Sequence, residues 1–326
     1  MPSVLNVNYR VSIGGKRLKS GSDAPIVALE VEADLNVPAH VCRVVLHGGC
    51  DVSAEPGDKV EVELGYDDSL EKVYTGQLAS FGWGIEQIRL EALSVFDVLN
   101  RSRVNRLYED KNGGDIASDL LQQLDVPTES TEPGLKFVTY AIGDNLSVWE
   151  HLRGLAERCD FVFHANHEDK AVFKKSGSKT THQFDYGAEI LAYERDGLSP
   201  GPDGVEVYGC SPSGQGKGDE AISWLSVKEV KGSAGKSSGV VHRVFDPSAR
   251  NPDLASTLAK NLLEARKPRE LGRVRLLGAP KVRLGDALSL RKMPEGALEG
   301  GARVVGGQHR LNAREGFVTI ARWEGS

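Results

Sequence analysis

The sequence predicts a mainly β protein with α insertions, built as two related small β-barrels (1–105 and 186–326) joined by a helical and hairpin insertion at 106–185. Three observations lead there. Apolar side chains alternate with a period of two at both ends of the chain. Helical spacing with cap signals occupies the middle. A Gly-Asp turn followed by strands occurs twice.

In the first region, Leu5, Val7, Tyr9, Val11 and Ile13 fall on alternate positions, as do Val27, Leu29, Val31, Ala33, Leu35 and Val37. A period of two puts these side chains on one face of a strand, so the sheet has one buried side. Gly14-Gly15 supplies a turn between the runs, because glycine tolerates positive φ. Further strands are expected at Val60–Leu64, Val73–Leu78 and Ile88–Leu93. Short strands punctuated by Gly, Pro and Asp suit a small barrel or sandwich.

The middle changes character. Gly113-Gly114-Asp115 introduces Ile116, Leu120 and Leu124 at helical spacing, and Val126-Pro127 ends the run. Ser147 and Glu150 have the S-x-x-E spacing in which each side chain satisfies a free amide at a helix start. Trp149, Leu152 and Ala156 follow as an apolar stripe. Phe161-Val162-Phe163, a polar turn at Asn166–Asp169 and Ala171-Val172-Phe173 then read as a hairpin.

β character returns from about Ile190. The Gly/Ser/Lys-rich stretch Ser211–Gly239, interrupted by Ala221–Val230, is expected to be an extended hairpin or mobile loop, since strand-like sequence resumes on both sides. Asn251-Pro252 starts a helix at about 252–266, Leu254, Leu258 and Leu262 form its stripe, and Lys267-Pro268 stops it.

The repeat links the two β regions. Pro56-Gly57-Asp58 opens a strand, and Val73-Tyr74-Thr75-Gly76-Gln77-Leu78 follows. Leu284-Gly285-Asp286 opens another, and Arg303-Val304-Val305-Gly306-Gly307-Gln308 follows. Each block then has one more strand, from Gln87 or from Gly316. The pattern predicts that Asp58 and Asp286 hold equivalent places.

Composition narrows the function classes. The 326 residues suit about two domains. A formal charge of −6 argues against specific nucleic-acid binding, which favours a basic surface. The N-terminus lacks a basic stretch followed by an apolar one, so no secretion signal is expected. No window approaches the roughly 20 apolar residues of a membrane helix, so no membrane partner is expected either. Cys42, Cys50, Cys159 and Cys210 are scattered, with no C-x-x-C pair, as in a chain made in a cytoplasm.

No catalytic, cofactor-binding or metal-binding set emerges. His164-Ala165-Asn166-His167-Glu168 is the best metal candidate, but on a hairpin residues i and i+3 face opposite ways, and zinc proteases use H-E-x-x-H on a helix. His309 has no nucleophile near it in sequence and reads as a packing or hydrogen-bonding residue. Neither a G-x-S-x-G elbow nor a phosphate-binding loop occurs. Carboxylates are plentiful enough for a glycosidase pair, but aromatics to line a sugar cleft are scarce. Lys217, Lys228, Lys231 and Lys236 read as a solvated face.

The chain resembles the late-control D family of contractile phages, related to the N-terminal hub part of VgrG spikes. The strongest stretch is the helix Pro252–Arg266, then Gly272-Arg273-Val274-Arg275-Leu276-Leu277-Gly278-Ala279-Pro280 running on to Gly285-Asp286, then Val304–Leu311 with His309, then Gly316-Phe317-Val318-Thr319. A second stretch is Asn145–Leu152 with Trp149, followed by Leu155-Ala156. The resemblance implies a structural, non-enzymatic baseplate hub, assembled in the bacterial cytoplasm into a phage tail or contractile injection particle. It implies a homotrimer whose six barrels adapt a hexameric tail tube to a trimeric spike, with baseplate wedge or sheath-initiator proteins as further partners. The sequence stops soon after the second β region, so the spike is expected to be a separate polypeptide. Two other readings are a tail-associated cell-wall hydrolase with 106–175 as its active part, and a tail-tip hub of a non-contractile phage.

Overall fold

The computed structural model describes residues 6–21, 25–177, 180–197, 200–210, 229–294 and 301–325. The predicted mobile stretch is described only from residue 229 onward, and its 211–228 part lies outside the described residues.

The first half contributes β1 (Val7–Ile13), β2 (Lys16–Lys19), β3 (Ile26–Asp34), β4 (Val41–His47), β5 (Lys59–Tyr66), β6 (Ser69–Gly82) and β7 (Gln87–Leu93). Tyr9, Val11 and Ile13 are buried, as the alternation requires. Gly14 and Gly15 take φ of +53° and +86°, the conformation of a two-residue hairpin turn, and Ile13 pairs with Lys16 across it. In β3 the alternation holds for Leu29 and Val31. A register break between Ile26 and Ala28 turns Val27 outward, and Val37 lies beyond the strand.

α1 (Phe96–Arg101) precedes the insertion and packs into its core, and the insertion itself holds β8 (Arg106–Asn112), α2 (Gly113–Gln123), β9 (Thr128–Thr131), β10 (Lys136–Ile142), α3 (Val148–Cys159), β11 (Phe161–Ala165) and β12 (Ala171–Lys175). Ser147 and Glu150 form the expected reciprocal cap of α3: Ser147 Oγ accepts the Glu150 amide at 3.2 Å, and Glu150 Oε2 accepts the Ser147 amide at 2.7 Å. Asn112 and Asp115 form a second capping box on α2, a pair the Gly-Gly start conceals. Phe96, Phe137, Trp149, Leu152 and Phe173 lie in the core of this unit.

The second half runs through β13 (Thr181–Asp185), β14 (Ile190–Asp196), β15 (Gly204–Tyr208), β16 (Lys231–Gly235), β17 (Val241–Phe245), α4 (Pro252–Ala265), β18 (Leu271–Leu277), β19 (Ala287–Arg291), β20 (Gly301–Asn312) and β21 (Gly316–Gly325). Asn251 caps α4 by accepting the Leu254 amide at 2.8 Å. β15 pairs antiparallel with β16 and parallel with β17. This small sheet packs on α4 through Val205, Val207, Leu258 and Leu262.

The protein is mainly β, but among the described residues no barrel closes. Strands of both halves join one 13-stranded sheet. Within it the first half reads β1-β5-β6-β7-β4-β3 and the second β13-β19-β20-β21-β18-β14. With β2 and the small β15–β17 sheet left out and the remaining six strands of each half numbered by appearance, both orders are first, fourth, fifth, sixth, third, second. One pairing differs: β1 and β5 are antiparallel, whereas β13 and β19 are parallel. Each half keeps its own core, one around Val11, Leu46, Val62 and Leu90, the other around Val274, Leu288, Val304 and Trp323.

Backbone hydrogen bonds fix the equivalence residue by residue. The Gly57 amide donates to Leu78 O and the Leu78 amide to Asp58 O, both at 2.8 Å. In the second half, the Gly285 amide donates to Val304 O and the Val304 amide to Asp286 O, again at 2.8 Å. A bulge follows each, between Leu78 and Ser80 and between Val304 and Gly306. Leu78 therefore matches Val304, and Gln77 matches Arg303. The Gly76-Gln77 and Gly307-Gln308 dipeptides, which look like repeats in sequence, are not structural equivalents.

The halves join through β3 and β20. β20 pairs with β19 over Gly301–Arg303 and with β3 over Gly306–Asn312. A twelve-residue strand outruns its own half's neighbour, and β3 takes the edge left beyond it. Edge amides and carbonyls are stabilised by pairing, which is why the sheet continues across the halves rather than closing within each.

Candidate functional site

Where the two halves and the insertion hairpin meet, His40, His164, His167 and His309 line one cavity of about 70 Å³, with Tyr74, Arg283 and Thr319. His40 sits just before β4, His164 on β11, His167 in the β11–β12 turn and His309 on β20. Four of the chain's eight histidines thus converge from three segments far apart in sequence.

His164 and His167 were expected on opposite faces. They share a wall because β11 ends at Ala165, and the turn that follows is no longer bound to a period of two. Yet among the described residues no three His, Cys, Asp or Glu side chains come close enough to hold a metal ion. His309 Nδ1 lies 2.9 Å from Thr319 Oγ1, which also accepts the Ala279 amide at 2.8 Å. His309 is thereby locked onto β21 and the loop after β18. His164 Nδ1 and Tyr74 Oη are buried with no protein hydrogen-bond partner among the described residues.

Burial sets the electrostatics. It pushes His40 down to about 4, and His164 and His309 down to about 3. Nearby His40, Lys174 and Arg303 lower His164 further, and Arg283 lowers His309. His167 is lowered chiefly by burial and then by Arg283. The junction is therefore lined by neutral imidazoles at pH 7. Arg283 is anchored beside them, donating from Nη2 to Lys72 O at 2.6 Å and from Nη1 to Pro280 O.

The same wall borders an open cleft of about 610 Å³, which Glu129, Glu168 and Asp286 also line. Glu168 is held below the usual carboxylate range by Lys170, 2.8 Å away. Glu129 accepts from Asn166 at 2.6 Å, and Asp286 lies 2.8 Å from His182 Nε2. A glycosidase acid needs a carboxyl with a raised pKa in the cleft, and Glu168 is shifted the other way. Asp169 does have a raised pKa, about 6 through burial, but its carboxylate is committed to the Val95 amide at 2.7 Å. The inner cavity is also far below the ~300 Å³ or more of an ordinary small-molecule site.

Of the lysines singled out in sequence, Lys231 pairs with Glu206 and Lys236 with Asp203, while Lys217 and Lys228 lie outside the described residues. His40, Tyr74 and Arg283 carry no motif and were not legible as site residues. All four cysteines are free, with Cys42 and Cys159 buried. No described helix is long and apolar enough to cross a membrane.

No family model and no curated protein matches the chain. Solved structures do match it. The 43 kDa tail protein of prophage MuSo2 from Shewanella oneidensis matches with a TM-score of 0.69 at 11% identity, over 98% of both chains. A tail protein from Neisseria meningitidis matches with a TM-score of 0.71 at 15% identity, over 98% of this chain and 97% of that one. The fold is that of phage tail proteins. An Escherichia coli component of the type VI secretion system, itself described as similar to two phage T4 tail proteins, matches with a TM-score of 0.55 at 10% identity, over 96% of this chain and 76% of that one. The first two matches span both halves and the insertion.

Proposed function

We propose that the chain is a structural hub of the baseplate of a contractile tail, acting without catalysis or cofactor. Three copies form a ring that adapts a hexameric tail tube to a separate trimeric spike. The observation that carries this reading is the duplicated strand order, with the Gly57-Asp58 and Gly285-Asp286 turns at matching places. A three-fold assembly must offer six similar surfaces to a six-fold tube, and a unit repeated twice in each of three chains supplies them. The fold shared with phage tail proteins and a type VI secretion component supports the same setting.

The buried junction then serves rigidity. It clamps the two halves to the insertion so that their relative angle, which sets the ring, stays constant. Electron microscopy of the purified chain mixed with its tail-tube protein tests the reading. Three-fold rings with six similar lobes, capping tube ends, are expected. Two-fold or four-fold particles, or no association with the tube, would overturn it.

A further inference from the structure

His40 stands in the first half, His164 in the insertion and His309 in the second half, and all three line the cavity of about 70 Å³. All three are buried. None of the three rings hydrogen-bonds another among the described residues. His40 makes hydrogen bonds only through its backbone: its amide donates to Ser94 Oγ at 3.0 Å, and its carbonyl accepts the Ser94 amide at 2.9 Å. His164 likewise pairs only through its backbone, opposite Val172. His309 uses Nδ1 on Thr319 and leaves Nε2 without a protein partner among the described residues.

A neutral imidazole has one N–H donor and one bare acceptor nitrogen. Both ring nitrogens of His40, both of His164 and one of His309 therefore lack a hydrogen bond to the described protein. In a dry core each would have given up its bonds to water without replacement. An apolar cavity stays dry, but a polar one of this size admits about two waters, at roughly 30 Å³ each. Solvent has a short way in, because His164, Asn166, His167, Arg283 and Leu284 line both this cavity and the open cleft outside it. The Thr319 contact also sets the proton on His309. Thr319 Oγ1 accepts the Ala279 amide, so its own hydrogen goes to Nδ1, which leaves the ring proton on Nε2 as a donor.

We infer that about two ordered waters in this cavity hydrogen-bond the rings of His40, His164 and His309, and so bridge the first half, the insertion and the second half. A water that accepts from His309 Nε2 keeps two hydrogens to donate, which suits bare nitrogens on His40 and His164. Nδ1 of His164 and the Tyr74 hydroxyl are too enclosed for water, so His164 joins through Nε2 and Tyr74 takes no part. The bridge lies within one chain and holds whether or not copies form a ring.

The test uses the full chain near pH 7. A high-resolution crystal structure is expected to show water within roughly 3 Å of His309 Nε2 and of a His40 ring nitrogen. Oxygen-17 relaxation dispersion counts waters held far longer than those of the surface. His40→Leu keeps about the same volume but offers no polar atom, and should lose about one or two of these waters. His40→Gln and Tyr74→Phe should keep them. If His40→Leu fails to fold, magnetisation transfer from water to the His40 and His309 ring protons of the unchanged chain replaces it, and no transfer would overturn the bridge. Density without water beside both rings would also overturn it, as would a folded His40→Leu chain with as many long-lived waters as the original. Loss of the same waters from Tyr74→Phe would do so too, since that hydroxyl is sealed off. Ring nitrogen shifts should place the His309 proton on Nε2, and a proton on Nδ1 would overturn the donor role of that ring.

Discussion

Asp58 Oδ2 accepts the Glu55 amide at 2.9 Å, and Asp286 Oδ2 accepts the Arg283 amide at 2.9 Å, so the two aspartates close the same turn in the two halves. The glycines before them, Gly57 and Gly285, take φ of +96° and +83°. Each carboxylate folds back three residues to hold the chain as it enters a strand, as Asp does in tight turns. The halves differ in one addition. Asp286 also lies 2.8 Å from His182 Nε2 on β13, which ties the second turn to a neighbouring strand.

Alanine substitutions should reflect this difference. Asp58→Ala is expected to cost about 1 kcal/mol, and Asp286→Ala roughly twice that, because it also removes the contact with His182. Gly57→Ala and Gly285→Ala should each cost about 1–2 kcal/mol from positive φ alone, since open space surrounds both positions. Urea denaturation of the four variants checks both statements.

Stability should fall steeply in mild acid. His40, His164 and His309 have folded pKa values of about 4, 3 and 3, below the 6.5 of an unfolded histidine. At pH 7 both states are neutral and these groups contribute nothing. As pH falls below 6.5 the unfolded chain takes up protons that the folded one refuses, costing up to about 1.4 kcal/mol per pH unit for each group. Asp169 works in the opposite direction: its folded pKa, about 6, is raised, so it adds stability as pH falls below 6. Three histidines outweigh one aspartate. The melting temperature should therefore drop between pH 6.5 and 4.5, and His164→Gln should flatten that slope.

Arg158 on α3 meets the buried Asp246 at 2.6 Å, and Asp246 Oδ1 also accepts from the Ser248 amide and hydroxyl. This contact fastens the insertion to the small sheet carried by α4. Asp246→Ala leaves a largely sheltered guanidinium without its counter-charge and should cost about 3–5 kcal/mol. Arg158→Met combined with Asp246→Leu should recover much of that loss, as thermal denaturation would show.

Helix caps give a smaller, independent check. Ser147→Ala and Asn251→Ala each remove a side-chain acceptor for a first-turn amide and should cost about 1 kcal/mol apiece. The two sites lie in different units, so the double variant should show the sum of the single effects.

Signals that act within a few residues were legible in the sequence. The Ser147–Glu150 cap, the Asn251-Pro252 start and the Phe161–Phe173 hairpin each depend on neighbours along the chain and formed as read, while Gly14-Gly15 does turn the chain but into β2, a strand not expected, rather than into the Val27–Val37 run. The mainly β character followed from alternation, and Tyr9, Val11 and Ile13 are buried accordingly. Alternation failed at Val27, where one extra residue bulges out and reverses the faces. The second capping box, Asn112 with Asp115, was masked by the two glycines between them.

Long-range partners were decided only by the tertiary structure. The sequence determined that both ends of the chain are built of strands with a Gly-Asp turn in each, because spacing and turns are properties of a short length of backbone, but β4 and β13 were not read from it. It did not determine that Gln77 stands level with Arg303 rather than Gln308, since a bulge and a change of register carry no sequence mark. Nor did it show that β3, the edge strand of its own half, would pair on its other side with β20. That choice depends on which strand outlasts its neighbour and so presents unpaired amides and carbonyls. The histidine junction arises in the same way. His40, His164, His167 and His309 become neighbours only after the halves and the hairpin dock, and burial then holds the deepest of them neutral.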